Sequence, residues 1–551
     1  MNKSLRYASI FIILLIALAL RLPNLERIPY WYWDEGVNMN IAWNLVNGSA
    51  LWFSLKFPFM PHPPLFFMVG GILLKIFGNE LVVMRALTVC CGILTIVLIY
   101  LLAREFFKER IALLSAFLFA IYPVAIYWNR MAFANNQLTL LILLAMYSFW
   151  KYVHECRFTN KKADRWLYAG SLFTGMAIIT ELFGFFLLVS IFIILKEERT
   201  KAILLSLILP VVFFATMLTL MPGEFIHDTV FTLKRFGITP NSIVALSLTS
   251  ILIYALRKKA IGILIRIRDL YIDVACDSVL LPGESKLPWD EKSEIAKKRL
   301  RSNAVLFLIL INLLAGLTLI LPFSDDALFG GVDYFSLGII GLLMIKARDV
   351  RKFLLAFFLP LFVSTFFITG RTDHLIIPLL PFLCIGLVVF LKGIYNYMGS
   401  FPIPSLAIII LLSYPFAFVL YHDASSFILG NDLIHEDIEG RIEAAGFINS
   451  RTSPEDVVIT DSHLGRFINS KTSVLLQSIA FQGRQIAYMA PDYGEGRFEF
   501  DPSHGNARFM VITPEVAEWL SEDDKEMFLD IQKWPTHSVG GYIIYENPAR
   551  E

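Results

Sequence analysis

The chain has 551 residues, 56% of them hydrophobic and only 17% charged, and its mean hydropathy is +0.62. A soluble domain is usually about 25% charged, so this composition argues against a soluble globular protein and calls for several membrane spans. A formal net charge of +1 argues against nucleic acid as a partner, because no global basic field is present to gather phosphates.

The basic start from Met1 to Arg6 and the apolar run from Tyr7 to Leu20 resemble a signal peptide. Arg-Leu-Pro-Asn follows where small residues would mark cleavage, so the segment reads as a retained first span. Apolar runs of spanning length continue near 85–103, 111–128, 137–151, 166–180, 183–196 and 201–221. A second group lies near 241–256, 303–321, 334–346, 351–368, 375–392 and 401–421. With the N-terminus in the cytoplasm, about 29 Lys and Arg fall in inside loops, about 9 in outside loops and about 10 in the C-terminal region. That asymmetry sets the orientation.

Three regions do not span. The first external loop, 22–84, is rich in Trp, Tyr and Pro, and its apolar stretch from Pro63 to Phe77 is short for a span and reads as an interfacial helix. The cytoplasmic loop 257–302 carries Ile-Leu-Ile-Arg-Ile-Arg and Lys297-Lys298-Arg299, a pattern suited to anionic lipid headgroups. From 422 to 551 the composition turns polar, with strand-like runs at Val457–Thr460, Phe509–Ile512 and Tyr542–Tyr545. All five cysteines precede this part, so it is not a disulfide-stapled module. The chain reads as a polytopic α-helical plasma-membrane protein of about thirteen transmembrane helices over 1–421. A small extracytoplasmic α/β domain follows over 422–551.

Candidate chemistry gathers on the outer side. Trp31-Tyr32-Trp33-Asp34-Glu35-Gly36 places two adjacent carboxylates just beyond a membrane helix. An aromatic belt explains the Trp and Tyr residues. It does not explain the acids, which are costly near a low-dielectric interface unless paired or useful. Partial desolvation suits a carboxylate to general-base work. His62-Pro63-Pro64-Leu65 follows; its prolines fix an extended lead into a helix, and its histidine either caps that helix or lines a site. The few external cations, Arg85, Arg130, Lys234, Arg235 and Arg371, are candidates for an anionic headgroup such as phosphate. Asp373 and His374 flank Arg371. Glu181 reads as a solvated turn acid, and His227 and Asp228 as part of a patternless loop.

The stretch from Arg21 to Phe107 resembles the start of the C-type (GT-C) membrane glycosyltransferases, above all the protein O-mannosyltransferases and the lipid A aminoarabinose transferases. The matching pieces are Asp34-Glu35, His62-Pro63-Pro64-Leu65 and Met84-Arg85-Ala86-Leu87. Arg371 with Pro378-Leu379-Leu380-Pro381 is similar to a late arginine-containing element of those enzymes, with Thr372 where tyrosine is usual. The resemblance implies a sugar donor on a polyprenyl or dolichyl phosphate, delivered from the bilayer, and a protein, lipid or glycan acceptor arriving from water. It makes Asp34 the acid-base residue, with Glu35 supporting it. His62, Arg85 and Arg371 become donor and phosphate ligands, and Arg130, Asp373 and His374 further possible ones. It implies single inverting displacement and favours no resident metal or other cofactor, although Asp34, Glu35, His62, Asp373 and His374 are residue types that could ligate a divalent ion. A transporter or flippase and a non-catalytic membrane scaffold are the competing readings; the first would place charges at mid-span and show internal repeats.

Overall fold

The computed structural model describes residues 3–29, 33–48, 63–78, 80–159, 164–235, 333–368, 374–398, 438–460, 464–482, 498–513 and 525–550, with isolated positions at 291, 417, 420–421, 424–425 and 427–428. The spans expected near 241–256 and 303–321, most of 401–421 and nearly all of the loop 257–302 lie outside these residues, as do His62, Arg371 and Asp373.

The N-terminal part is a helical assembly. Its helices are α1 (Lys3–Arg21), α2 (Trp33–Asn47), α3 (Leu65–Phe77), α4 (Leu81–Phe106), α5 (Glu109–Ile121), α6 (Pro123–Asn129), α7 (Ala134–Thr159) and α8 (Asp164–Ile178). A 3-10 turn, Leu182–Phe185, leads into α9 (Phe186–Ile194), followed by α10 (Arg199–Leu220) and α11 (Pro222–Arg235). Further on come α12 (Asp333–Met344), α13 (Arg348–Val363) and, after a 3-10 stretch at His374–Leu379, α14 (Leu380–Met398). Among the described residues four helices are long and apolar enough to cross a bilayer, or five if the bent pair α5–α6 is one span. The core joins α4, α5 and α7 to α13 and α14 through fully buried Phe119, Phe149, Phe357, Phe358 and Phe382.

Two local features set up the site. The sequence predicts one continuous span over 111–128, yet the helix breaks at Tyr122 and bends by 59°. Pro123 is the cause: its ring pushes the preceding residue out of the helical region, and Tyr122 has ψ 117°. Proline also has no N–H to give to the carbonyls behind it. The guanidinium of Arg21 fills that gap, donating to Ala120 O at 2.7 Å and Phe119 O at 3.2 Å.

The second feature is the α2–α3 pair. Helix α3 buries Phe66, Phe67, Gly70, Gly71 and Leu74 and exposes Met68, Ile72 and Ile76. Its thirteen residues reach only about 20 Å, short of a roughly 30 Å hydrocarbon core, so it presents an apolar flank without spanning. Gly71 lets the two helices touch, since a Cβ there would run into the Ala42 carbonyl.

The C-terminal part holds helix α15 (Ile438–Asn449), β1 (Val457–Thr460), β2 (Lys471–Val474), α16 (Leu475–Phe481), β3 (Ala507–Val511), α17 (Lys525–Ile531), β4 (Thr536–Val539) and β5 (Tyr542–Glu546). The sheet order is β2-β1-β3-β5-β4. β1 is parallel to β2 and β3, while β5 is antiparallel to β3 and β4. β1 is buried at all four positions, as a strand covered on both faces should be. Gly540 and Gly541, both at positive φ, close the β4–β5 hairpin. Residues 222–235 differ from the expected loop: they form α11, in which Asp228 is fully buried beside His227 Nδ1 at 3.0 Å.

Candidate active site

Asp34 and Glu35 lie in the first turn of α2, where the helix dipole favours negative charge. Successive helical positions diverge by about 100°, so both cannot face the same way. Glu35 points inward and is 0% exposed, whereas Asp34 is half-buried.

Glu35 meets Arg85 from the first turns of α4. Arg85 Nε donates to Glu35 Oε1 at 2.9 Å and Nη2 to Oε2 at 2.6 Å, a two-pronged pair with both side chains fully buried. Arg85 Nη1 donates to Leu25 O at 3.0 Å. The Ala132 amide adds a third donor to the carboxylate, reaching Oε1 at 2.7 Å. That amide is available because residues 130–133 lie between α6 and α7, outside either helix. Asn38, one turn further along α2, donates to Ala132 O at 2.9 Å and holds the same segment.

Arg130 closes the cluster. It donates to Pro23 O and Ile28 O at 2.7 Å each, and to Leu20 O at 3.3 Å. Burial first, and then the charges of Arg85 and Arg21, work against its protonated form; these carbonyls support it. Its guanidinium lies 4.3 Å from the Phe427 ring centre, and Asn24 Nδ2 donates to Phe427 O at 2.9 Å. Arg21 Nε donates to Asn129 Oδ1 at 3.0 Å, and Asn129 Nδ2 to Asn136 Oδ1 at 2.7 Å. Arg21, Arg85 and Arg130 are all 0% exposed. Burying three guanidiniums near one another is unfavourable unless each finds acceptors, and here each does.

His374, from the late part of the chain, joins through Phe133. The two rings stack with centroids 4.5 Å apart and planes 19° apart, and Trp128 meets the histidine edge-on. The structure thus brings Asp34, Glu35, Arg85, Arg130 and His374 to one end of the helical assembly. Val474 of β2 packs into the same cluster as Met39, Phe66, Met84 and Ala132, so the C-terminal sheet sits against this end. Among the described residues no group of three His, Cys, Asp or Glu side chains is placed to hold a metal ion.

Sequence reasoning missed three contributors. Arg21 and Asn129 carry the network behind Arg130, and the signal for them is Pro123, which announces carbonyls in need of donors. Glu181 is the third. It is half-buried and accepts from the Leu182 amide at 3.2 Å, and burial pushes it up to about 7 from 4.5. Its turn is tied to α3 by Leu65 N donating to Ile179 O at 2.8 Å, and to α7 by Gln137 Nε2 donating to Thr180 Oγ1 at 3.2 Å. Unbroken apolar runs on both sides of Thr180-Glu181 were the available clue that this acid is poorly solvated.

The fold is that of the C-type membrane glycosyltransferases. It matches the oligosaccharyltransferase of Archaeoglobus fulgidus, solved with a tethered acceptor peptide containing an NVT sequon, over 99% of this chain and 74% of that one (TM-score 0.55, 15% identity). It matches ArnT of Cupriavidus metallidurans bound to undecaprenyl phosphate over 99% and 98% (TM-score 0.52, 14% identity). Within that fold, residues 61–223 match the family described as dolichyl-phosphate-mannose-protein mannosyltransferase. The chain is also 27% identical over 156 residues to dolichyl-phosphooligosaccharide-protein glycotransferase 2 of A. fulgidus, a stretch covering 26% of each chain; it spans about a quarter of that relative's length.

Proposed function

We propose that this protein is an integral membrane glycosyltransferase that moves a sugar from a polyprenyl or dolichyl phosphate to a protein, lipid or glycan acceptor on the extracytoplasmic face. The observation that carries the proposal is the contrast between two neighbouring acids. Glu35 is locked by Arg85 and Ala132, while Asp34 stands half-buried beside it. The Glu35 oxygens are taken up by Arg85 and the Ala132 amide, so the proton-accepting role falls to Asp34.

In the proposed reaction the acceptor hydroxyl or amide attacks the anomeric carbon as its bond to the carrier phosphate breaks, inverting the configuration. Asp34 takes the proton, which supplies about 10²–10⁴-fold. The leaving group is already a phosphate, so it needs positive charge more than an acid. Arg21, Arg85 and Arg130 outnumber Asp34 and Glu35 at this end of the helices and provide a positive background. Because Arg85 is spent on Glu35 and Leu25, we assign it a positioning role and leave direct phosphate contact to Arg371, His62 and His374. No resident metal or other cofactor is assigned.

Membrane placement follows the charge asymmetry of the loops: about thirteen spans, the N-terminus in the cytoplasm, and 422–551 outside, over the acceptor side of the site. The family match supports a lipid-linked donor, and mannose is the first sugar to test. The decisive experiment is Asp34→Asn in proteoliposomes supplied with polyprenyl-phosphate-linked mannose and an acceptor peptide. Transfer should fall at least about 10²-fold with donor binding retained; turnover near that of the unaltered protein would refute Asp34 as the base.

A further inference from the structure

A groove of about 1400 Å³ opens where α4, α7, α9 and α13 end, at the membrane face opposite Asp34. Arg85 and Glu105 are both on α4, and twenty residues of helix separate them by about 30 Å, the thickness of a hydrocarbon core. The groove is therefore separate from the site described above.

Its walls are apolar and face lipid. Val189 and Ile193 are one turn apart on α9, Leu359 and Val363 one turn apart on α13, and all four are about half exposed. The mouth is charged. Lys196 and Lys352 are exposed there, and neither takes part in an ion pair or hydrogen bond among the described residues. Glu197, Glu198 and Asp349 stand beside them, while Glu105 is already paired with Lys151 at 2.6 Å. At the inner end Trp150 packs against Phe106 and Phe353, and its indole N–H is buried without a hydrogen-bond partner among the described residues.

From this geometry we propose that the groove is a binding site for a phospholipid carrying a primary ammonium, of the phosphatidylethanolamine type, taken from the leaflet opposite the active site. The two lysines meet the phosphate, Glu197 and Glu198 accept from the ammonium, and an acyl chain lies along the α9–α13 seam. Among the groove-lining residues acids outnumber lysines, which disfavours an anionic lipid. A quaternary choline lacks the N–H donors these carboxylates would use.

The test uses the full-length protein and native mass spectrometry after exchange into equimolar phosphatidylethanolamine, phosphatidylcholine, phosphatidylglycerol and undecaprenyl phosphate. Phosphatidylethanolamine adducts should exceed each of the others several-fold. Lys196→Ala with Lys352→Ala should abolish that excess, and so, independently, should Val363→Trp, which fills the seam from its lipid-exposed wall. Equal adducts in the unaltered protein, a preference for undecaprenyl phosphate, or an excess that survives both alterations would overturn the proposal.

Discussion

Glu35 and Arg85 form a two-pronged ion pair, 2.6 and 2.9 Å long, with no part of either side chain exposed. They belong to different helices, α2 and α4, and the Ala132 amide completes the carboxylate's shell. The pair therefore fixes the helix that carries Asp34 relative to α4, and its energetics can be tested apart from catalysis.

Breaking a buried pair from one side leaves an uncompensated charge, costing about 3–5 kcal/mol. Glu35→Gln alone and Arg85→Met alone should each lower the unfolding temperature of the solubilised protein substantially. The double replacement should lose clearly less than the sum of the two. Strict additivity in a thermal-unfolding cycle would mean that the pair is not the strut described.

Arg21 predicts a second stability effect. Arg21→Met leaves Phe119 O, Ala120 O and Asn129 Oδ1 short of a donor, each costing roughly 1–3 kcal/mol if it stays buried and unmet. Phe119 O keeps only a long 3.4 Å contact from the Tyr122 amide, and proline supplies no N–H to it, so Pro123→Ala in the same background should recover part of the loss. Thermal unfolding of the single and double variants checks this.

Gly71→Leu tests the α2–α3 contact. Any Cβ meets the Ala42 carbonyl, so α2 must shift, and overpacking of this sort costs about 1–3 kcal/mol. Transfer should fall along with stability, because α2 carries Asp34. Gly223→Ala, where nothing lies within 4 Å of the added carbon, is the matched control and should leave both unchanged.

Glu181 makes a pH prediction. Burial raises it from 4.5 to about 7, so between these values the folded protein holds a proton that the unfolded chain has released. Stability must then fall as pH rises through that window and level off above it. Glu181→Gln removes the titration. The unfolding temperature of the unaltered protein minus that of the variant should decline from pH 4.5 to about 7 and stay flat beyond. A difference independent of pH would show that Glu181 is solvated after all.

The helices were legible because apolar runs of spanning length announce themselves. α4, with no proline, is an unbroken rod, whereas 111–128, equally apolar, breaks at Tyr122 because Pro123 overrides the run. Strand-like runs at 457–460 and 542–545 were readable from β-branched and aromatic clustering, and strands lie there. The sheet order was not readable, since β1 pairs with both a near and a distant strand. In the site, adjacency in the sequence marked Asp34 and Glu35 as a unit, but helical geometry turned them to different surroundings.

Composition and local pattern on their own pointed to a chain of long apolar helices, to the residue types of the candidate site, and to the class of enzyme it resembles. These properties depend on transfer from water to lipid and on residue spacing, both local to the chain. Only tertiary structure decided that Arg85 answers Glu35, that Arg21 serves the carbonyls freed at Pro123, and that His374 stacks on Phe133. Each of those pairings joins residues far apart in the chain, and burial selects them: an arginine taken out of water settles where the fold supplies acceptors for its donors.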